Sequence, residues 1–218
     1  MRGELPMRTR PGCWLAGALI ACALFAGPGR AEPSPPNWTT PSCITLVGSN
    51  GGVPATAYGQ FTLTARDLAN NPLVGVTTVL DLSACLDLEI CADQLDPDAI
   101  VNCAAKTVTK LTGANGQVTF TILGCGSGRP ASTLLNGGRI YGDGVLVASP
   151  SVSTFDLDGS GGVNANDMSL WLGDFFTAQL FGRSDYDCSG WVGANDLSMW
   201  FGAFGSGTMV ESCASHCP

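Results

Sequence analysis

The sequence predicts a mainly β chain with a small α part: a two-sheet β-sandwich over 43–153, followed by a pair of loop–helix repeats over 154–205. Three observations carry this. Segments between 43 and 153 alternate apolar and polar residues, the period of a strand with one buried face. Turn-forming residues punctuate them. The stretch after 154 contains one motif twice, and such internal repetition defines an architecture before any finer reading does.

In Gln60 to Arg66 the apolar residues Phe61, Leu63 and Ala65 take every second position, and Gln117 to Ile122 repeats the pattern with Val118, Phe120 and Ile122. Asn70, Asn71 and Pro72 stand beside the first strand and Asn115 and Gly116 beside the second; such residues tolerate positive φ or preset a bend. About 110 residues of this kind suit two packed antiparallel sheets. In the second part, Asp156–Asp167 aligns without gaps on Asp185–Asp196, and the match continues from Met168–Phe175 onto Leu197–Phe204.

Ahead of both parts, residues 1–31 carry Arg2, Arg8 and Arg10, then an apolar run from Cys13 to Gly27, then Gly29, Arg30 and Ala31. This is the layout of a cleaved secretory signal. The run is shorter than the roughly 20 residues a bilayer span needs. Leu19, Ile20, Ala21 and Cys22 offer a rival cut that would leave a lipid on Cys22; it ranks second because the apolar run continues through Leu24 and Phe25. The expectation is a secreted or surface-exposed protein with no membrane span. A Pro-rich spacer, 32–42, follows the leader, and a Cys-containing tail, 206–218, follows the repeats.

Net charge is −8, and four of the ten basic residues lie in the leader against one of the eighteen acidic ones, so the cleaved chain is more acidic still. An acidic surface repels polyphosphate and argues against nucleic-acid binding. The one histidine, His216, is too few for a multi-histidine metal site. Export makes disulfides the first reading of Cys43, Cys85, Cys91, Cys103, Cys125, Cys188, Cys213 and Cys217. Five precede residue 150 and three follow it, so either a bridge joins the two parts or each part keeps a free thiol. Zinc is the weaker reading: no CxxC pair occurs, and Cys213, His216 and Cys217 offer at most three ligands.

Counted from Asp156, carboxylates stand at loop positions 1, 3 and 12 (Asp156, Asp158, Asp167), a hydroxyl at 5 (Ser160), Gly161 at 6, the Gly162 carbonyl at 7 and an amide at 9 (Asn164). This is the ligand spacing of an EF-hand-type calcium loop. The second loop offers Asp185, Asp187, Ser189, the Trp191 carbonyl and Asp196, with Gly190 at the turn; Gly193 leaves position 9 to water. Two Ca2+ ions are therefore expected; Mg2+ holds its own waters too firmly for such a cage. Ser at position 5 and Asp at position 12 leave three negative ligands per loop, which points to micromolar-to-millimolar affinity. After each loop Met168, Trp171, Leu172 and Phe175, and likewise Leu197, Trp200, Phe201 and Phe204, recur at helical spacing. Two short helices with facing apolar stripes are expected, too short to hold alone.

These residues carry a resemblance. The span from about Phe155 to Gly205 resembles a type I dockerin, a duplicated calcium loop each followed by one helix, with Asp at position 12 in both copies. That resemblance implies a protein-docking module for a cohesin-like domain, in a polysaccharide-degrading or cell-surface assembly. It implies partner choice by loop positions 10 and 11, here Ala165 and Asn166, and Ala194 and Asn195. Their identity in both copies would allow two docking orientations. Cys188 at position 4 departs from the family pattern. Thr64 to Gly75 and Thr112 to Phe120 resemble, more loosely, bacterial immunoglobulin-like domains of invasin type, which act as spacers or adhesive modules without catalysis.

The reading is a non-catalytic exported protein: an immunoglobulin-like scaffold or adhesive domain joined to a calcium-dependent docking module. The alternative is a polysaccharide-degrading enzyme component or carbohydrate-binding module carried by a dockerin. Hydrolysis needs two placed carboxylates, but most of those of the β part, Asp67 and Asp143 apart, lie between Asp81 and Asp98 beside Cys85 and Cys91, where a disulfide-pinned loop is the plainer expectation.

Overall fold

The computed structural model describes residues 31–50, 53–54, 57–177, 182–205 and 215–217. The leader lies outside them through Arg30, as does Cys213. The strands are β1 (Cys43–Leu46), β2 (Ser49–Asn50), β3 (Val53–Pro54), β4 (Gln60–Thr64), β5 (Thr77–Asp81), β6 (Leu88–Cys91), β7 (Ile100–Asn102), β8 (Thr107–Leu111), β9 (Gln117–Thr121), β10 (Gly124–Gly126), β11 (Arg139–Gly142), β12 (Val145–Ala148) and β13 (Ser151–Thr154). Two short helices follow, α1 (Ala165–Phe176) and α2 (Ala194–Gly205), then β14 (His216–Cys217). The protein is thus mainly β with a small α part. Among the described residues no helix is long and apolar enough to cross a membrane.

An antiparallel sheet runs in the order β12-β11-β5-β8-β7, and a second joins β10, β6 and β14. The two strands with the clearest alternation, β4 and β9, pair with each other, Phe61 opposite Phe120 with ring centroids 5.4 Å apart. β1 and β13 pair in parallel, Leu46 opposite Thr154. Alternation becomes burial: in β5, Thr78 and Leu80 point inward and their neighbours do not. The main core takes Leu80, Val108 and Ile140 from the five-stranded sheet and meets Ile44, Leu63, Phe120, Ile90 and Val152 from the other sheets.

Cys43 is bonded to Cys188 and Cys103 to Cys217, and Cys91 is also in a disulfide. Two bridges therefore tie the β part to residues beyond 154. Cys85 and Cys125 are free and buried, so of the two cysteines expected to pin the loop over 81–98 by disulfides only Cys91 is bonded. Burial pushes the Cys85 thiol up to about 12, and it raises the Cys125 thiol as well. The tail is structured where it is described: β14 pairs with β6, His216 opposite Cys91 and Cys217 opposite Ile90.

The repeat region is seated directly on the β part. β13 runs into the first loop, and Gly126 on β10 donates its N–H to the Asp156 carbonyl at 2.6 Å. A Cβ at Gly126 would fall 2.0 Å from the Leu157 carbonyl oxygen, so only glycine permits this approach. Arg183, 2% exposed, binds Asp174 near the end of α1 through Nε (2.7 Å) and Nη2 (2.9 Å) and donates Nη1 to the Arg129 carbonyl at 2.7 Å. Asp87 of the β part lies 3.8 Å from the same guanidinium and accepts from Thr133 Oγ1 and from the backbone N–H groups of Ser132 and Thr133.

Removing one member of a buried ion pair strands the other charge without solvent. Arg183→Met is expected to lower unfolding stability by about 3–5 kcal/mol, read from urea denaturation with disulfides intact, and Arg183→Met/Asp174→Leu to regain much of that loss.

Candidate metal centre

The two loops carry the same hydrogen-bond frame, contact for contact. Ser160 N–H donates to Asp156 Oδ1 (3.2 Å) and Asp158 Oδ1 (2.9 Å); Ser189 N–H donates to Asp185 Oδ1 (3.1 Å) and Asp187 Oδ1 (2.9 Å). Asp167 accepts from the N–H groups of Leu157, Asp158 and Asn164 at 2.7, 3.0 and 2.7 Å. Asp196 accepts from Tyr186, Asp187 and Gly193 at 2.6, 3.1 and 2.7 Å. Gly161 and Gly190 turn each loop at φ 99° and 89° and donate to the second oxygen of Asp156 and Asp185. Glycine alone takes that backbone without strain.

This frame gathers Asp156, Asp158 and Asp167, and separately Asp185, Asp187 and Asp196, with one carboxylate oxygen of each within 4.8 Å of the others. Two unit charges at that separation repel by about 3 kcal/mol at an effective dielectric near 20. Asp156, Asp167, Asp185 and Asp196 are buried. Burial first, and then the neighbouring carboxylates, push Asp156 up to about 7 and Asp185 up to about 6. Burial also raises Asp167 and Asp196 despite their backbone donors. At the rim the balance reverses: burial raises Asp158, but hydrogen bonds led by Ser160 outweigh it and hold it low. The Ser189 hydroxyl does the same for Asp187. Each loop is an anionic pocket, and a divalent ion held among the three carboxylates would offset their mutual repulsion.

The remaining oxygens are close by. Ser189 Oγ lies 3.1 Å from the Trp191 carbonyl, and a cavity of about 220 Å³ opens at this loop between Asp187, Ser189, Trp191, Gly193, Asn195 and Asp196. In the first loop Asn164 Nδ2 donates to Ser160 Oγ (2.8 Å) and to the Gly162 carbonyl (3.0 Å), while its Oδ1 caps α1 at Asn166 N–H (2.8 Å). The Gly162 oxygen can only accept and the Asn166 N–H can only donate, which fixes the amide's orientation. Position 9 therefore turns a donor toward the pocket in this loop and has no side chain at Gly193 in the other.

Ala165, Asn166, Ala194 and Asn195 lie exposed at the starts of the two helices. The asparagines are not idle: Asn195 Nδ2 donates to Asp187 Oδ2 at 3.1 Å, and Asn166 likewise lowers Asp158. Trp171 and Trp200 are each 1% exposed and share a cluster with Phe155, Leu157, Tyr186 and Ala203. The expected apolar stripes are only half used. Leu172, Phe175, Phe201 and Phe204 are 40–52% exposed, because two short helices built around large indoles leave no cover for the outer half of each stripe.

Two features escape the sequence reading. Cys188 holds the left-handed conformation at φ 57° that Gly159 takes at 68° in the first loop, and its bridge to Cys43 fastens the loop there. Arg183 and Asp174 clamp α1 to the β part; the signal for them was the mismatch of Asp174 with Ala203 inside an otherwise repeated stretch. Compared with protein-family models, curated proteins and solved structures, the chain matches none.

A cation entering either pocket must expel the proton that a raised carboxyl retains. Calorimetric Ca2+ affinity of the first loop is expected to fall about tenfold per pH unit below about 7 and that of the second below about 6, with Asp156→Ala removing the first component. In chelator, the raised carboxyls stabilise the fold below about pH 4 and lose that contribution as pH rises through 6 to 7. Excess Ca2+ should abolish this part of the pH dependence of the melting temperature.

Proposed function

We propose that residues 154–205 form a dockerin-type module, ordered by two Ca2+ ions and carried on an immunoglobulin-like scaffold of an exported, non-catalytic protein. The observation that carries the reading is the duplication itself. Ligand positions, hydrogen-bond frame and carboxylate crowding recur in both loops, with oxygen donors suited to a hard cation.

The outer faces of the helices supply a surface for a partner. Ala165, Ser169, Leu172 and Phe176 form one exposed line along α1, and Ala194, Ser198, Phe201 and Gly205 the corresponding line along α2. Phe175 stacks on Trp171 and Phe204 on Trp200, with interplanar angles of 12° in both. Exposed apolar residues grouped in this way mark interaction sites. A cohesin-like domain could seat on either helix, since both present the same Ala–Asn start and an exposed large apolar residue seven positions on, Leu172 or Phe201. The packing of a five-stranded antiparallel sheet against strands of the other sheets around one core supports the scaffold role of 43–153.

Binding to a panel of immobilised cohesin domains, with and without Ca2+, tests the reading. Retention in Ca2+ and release by chelator are expected, accompanied by loss of helical circular dichroism and a change in tryptophan emission. Leu172→Ala or Phe201→Ala alone should weaken binding about twofold, since the other helix remains, and the double variant more than tenfold. A chelator-insensitive spectrum would overturn ordering by calcium, and release of reducing sugar from polysaccharides would overturn the non-catalytic reading.

A further inference from the structure

A second donor set lies apart from the aspartate loops. In the β10-β6-β14 sheet, Cys125 stands directly opposite Glu89, and His216 stands opposite Cys91, two residues along β6 from Glu89. Side chains two apart on a strand share a face, so the register turns Glu89, Cys125 and His216 to the same side. His216 Nδ1 lies 2.9 Å from Glu89 Oε2 and 3.5 Å from Cys125 Sγ, and the three ligand atoms are mutually within 4.8 Å. Cys125 is one of two free cysteines among those described, and it is 1% exposed.

An ion pair between His216 and Glu89 explains only two of these groups. Nδ1–H can donate to the carboxylate and only weakly to the thiol sulfur, so the pair leaves Cys125 poorly partnered. A cation would take a lone pair from all three. Ligand atoms arranged tetrahedrally at about 2.0–2.3 Å from zinc stand about 3.3–3.6 Å from one another; the observed spacings need adjustments of only a fraction of an ångström to about one. Sulfur, imidazole and carboxylate together select a borderline-soft ion rather than calcium.

We propose that Glu89, Cys125 and His216 form a zinc-type divalent-metal site that pins β14 to the sheet. On binding, the Cys125 thiol proton leaves to solvent and the sulfur–metal bond forms, so thiolate and carboxylate neutralise the dication. Water takes the fourth position. The site joins two otherwise separate features: β14, brought in by the Cys103–Cys217 bridge, and the first loop, whose Gly159 lies against the Cys125 sulfur such that an added Cβ would sit 3.6 Å from it.

The test uses the full oxidised chain, stripped by chelator and returned to excess Ca2+ so that the aspartate loops are filled. Zn2+ should be retained after desalting at one ion per chain, and Co2+ should give a thiolate-to-metal charge-transfer band. Cys125→Ser should abolish the band, and His216→Ala and Glu89→Gln should each weaken Co2+ binding more than tenfold with unchanged near-ultraviolet dichroism. Cys85→Ser should leave the band intact. Failure of the wild type to retain Zn2+, full retention by His216→Ala, or peptide mapping that finds Cys125 in a disulfide would each overturn the proposal.

Discussion

Everything in the C-terminal part is arranged around mutual repulsion among three carboxylates held closer than water would allow. The backbone forces them together: each loop spends its N–H groups on the very oxygens that repel, and in each the twelfth residue accepts three of them. The same residue begins a helix, where a negative charge is favoured by the dipole. Local structure and charge thus pull in opposite directions, and the buried aspartates register the conflict by holding protons far above their ordinary range.

The loops are also joined to each other. Phe155 precedes the first and Tyr186 lies within the second, and their rings meet with centroids 4.6 Å apart over the cluster that takes in both tryptophans. Ordering one loop therefore fixes a wall of the other's core. The β part breaks the duplication at Asp174 with its arginine, at Gly126 against the first loop, and at Cys188 with its bridge, while position 9 breaks it within the loops, Asn164 against Gly193.

Much of this was legible in the chain because it is local. A loop of twelve residues fixes by spacing alone which carboxylates it gathers, and strict alternation in β4 and β9 marks two strands that turn out to be partners. What escaped was non-local. Nothing in the order of residues says that β1 runs parallel to β13, that Arg183 reaches Asp87, or that His216 returns to Cys125 from 91 residues away. The cysteine count misled at Cys85 and Cys125, expected in disulfides with the rest but free and buried. Helical periodicity correctly aligned Trp171 with Phe175, yet it carries no information on how wide a strip a small module can cover, so the outer residues stayed in solvent.

The bridge between Cys43 and Cys188 runs from the opening strand of the β body into the interior of the second loop. A plug on a slack tether lets its cargo sweep a volume; a plug welded to the cargo at two ends transmits its bearing. On the proposed docking role, a partner seated against either helix would inherit the heading of the whole β body, so attachment would set the direction of the load as well as its place.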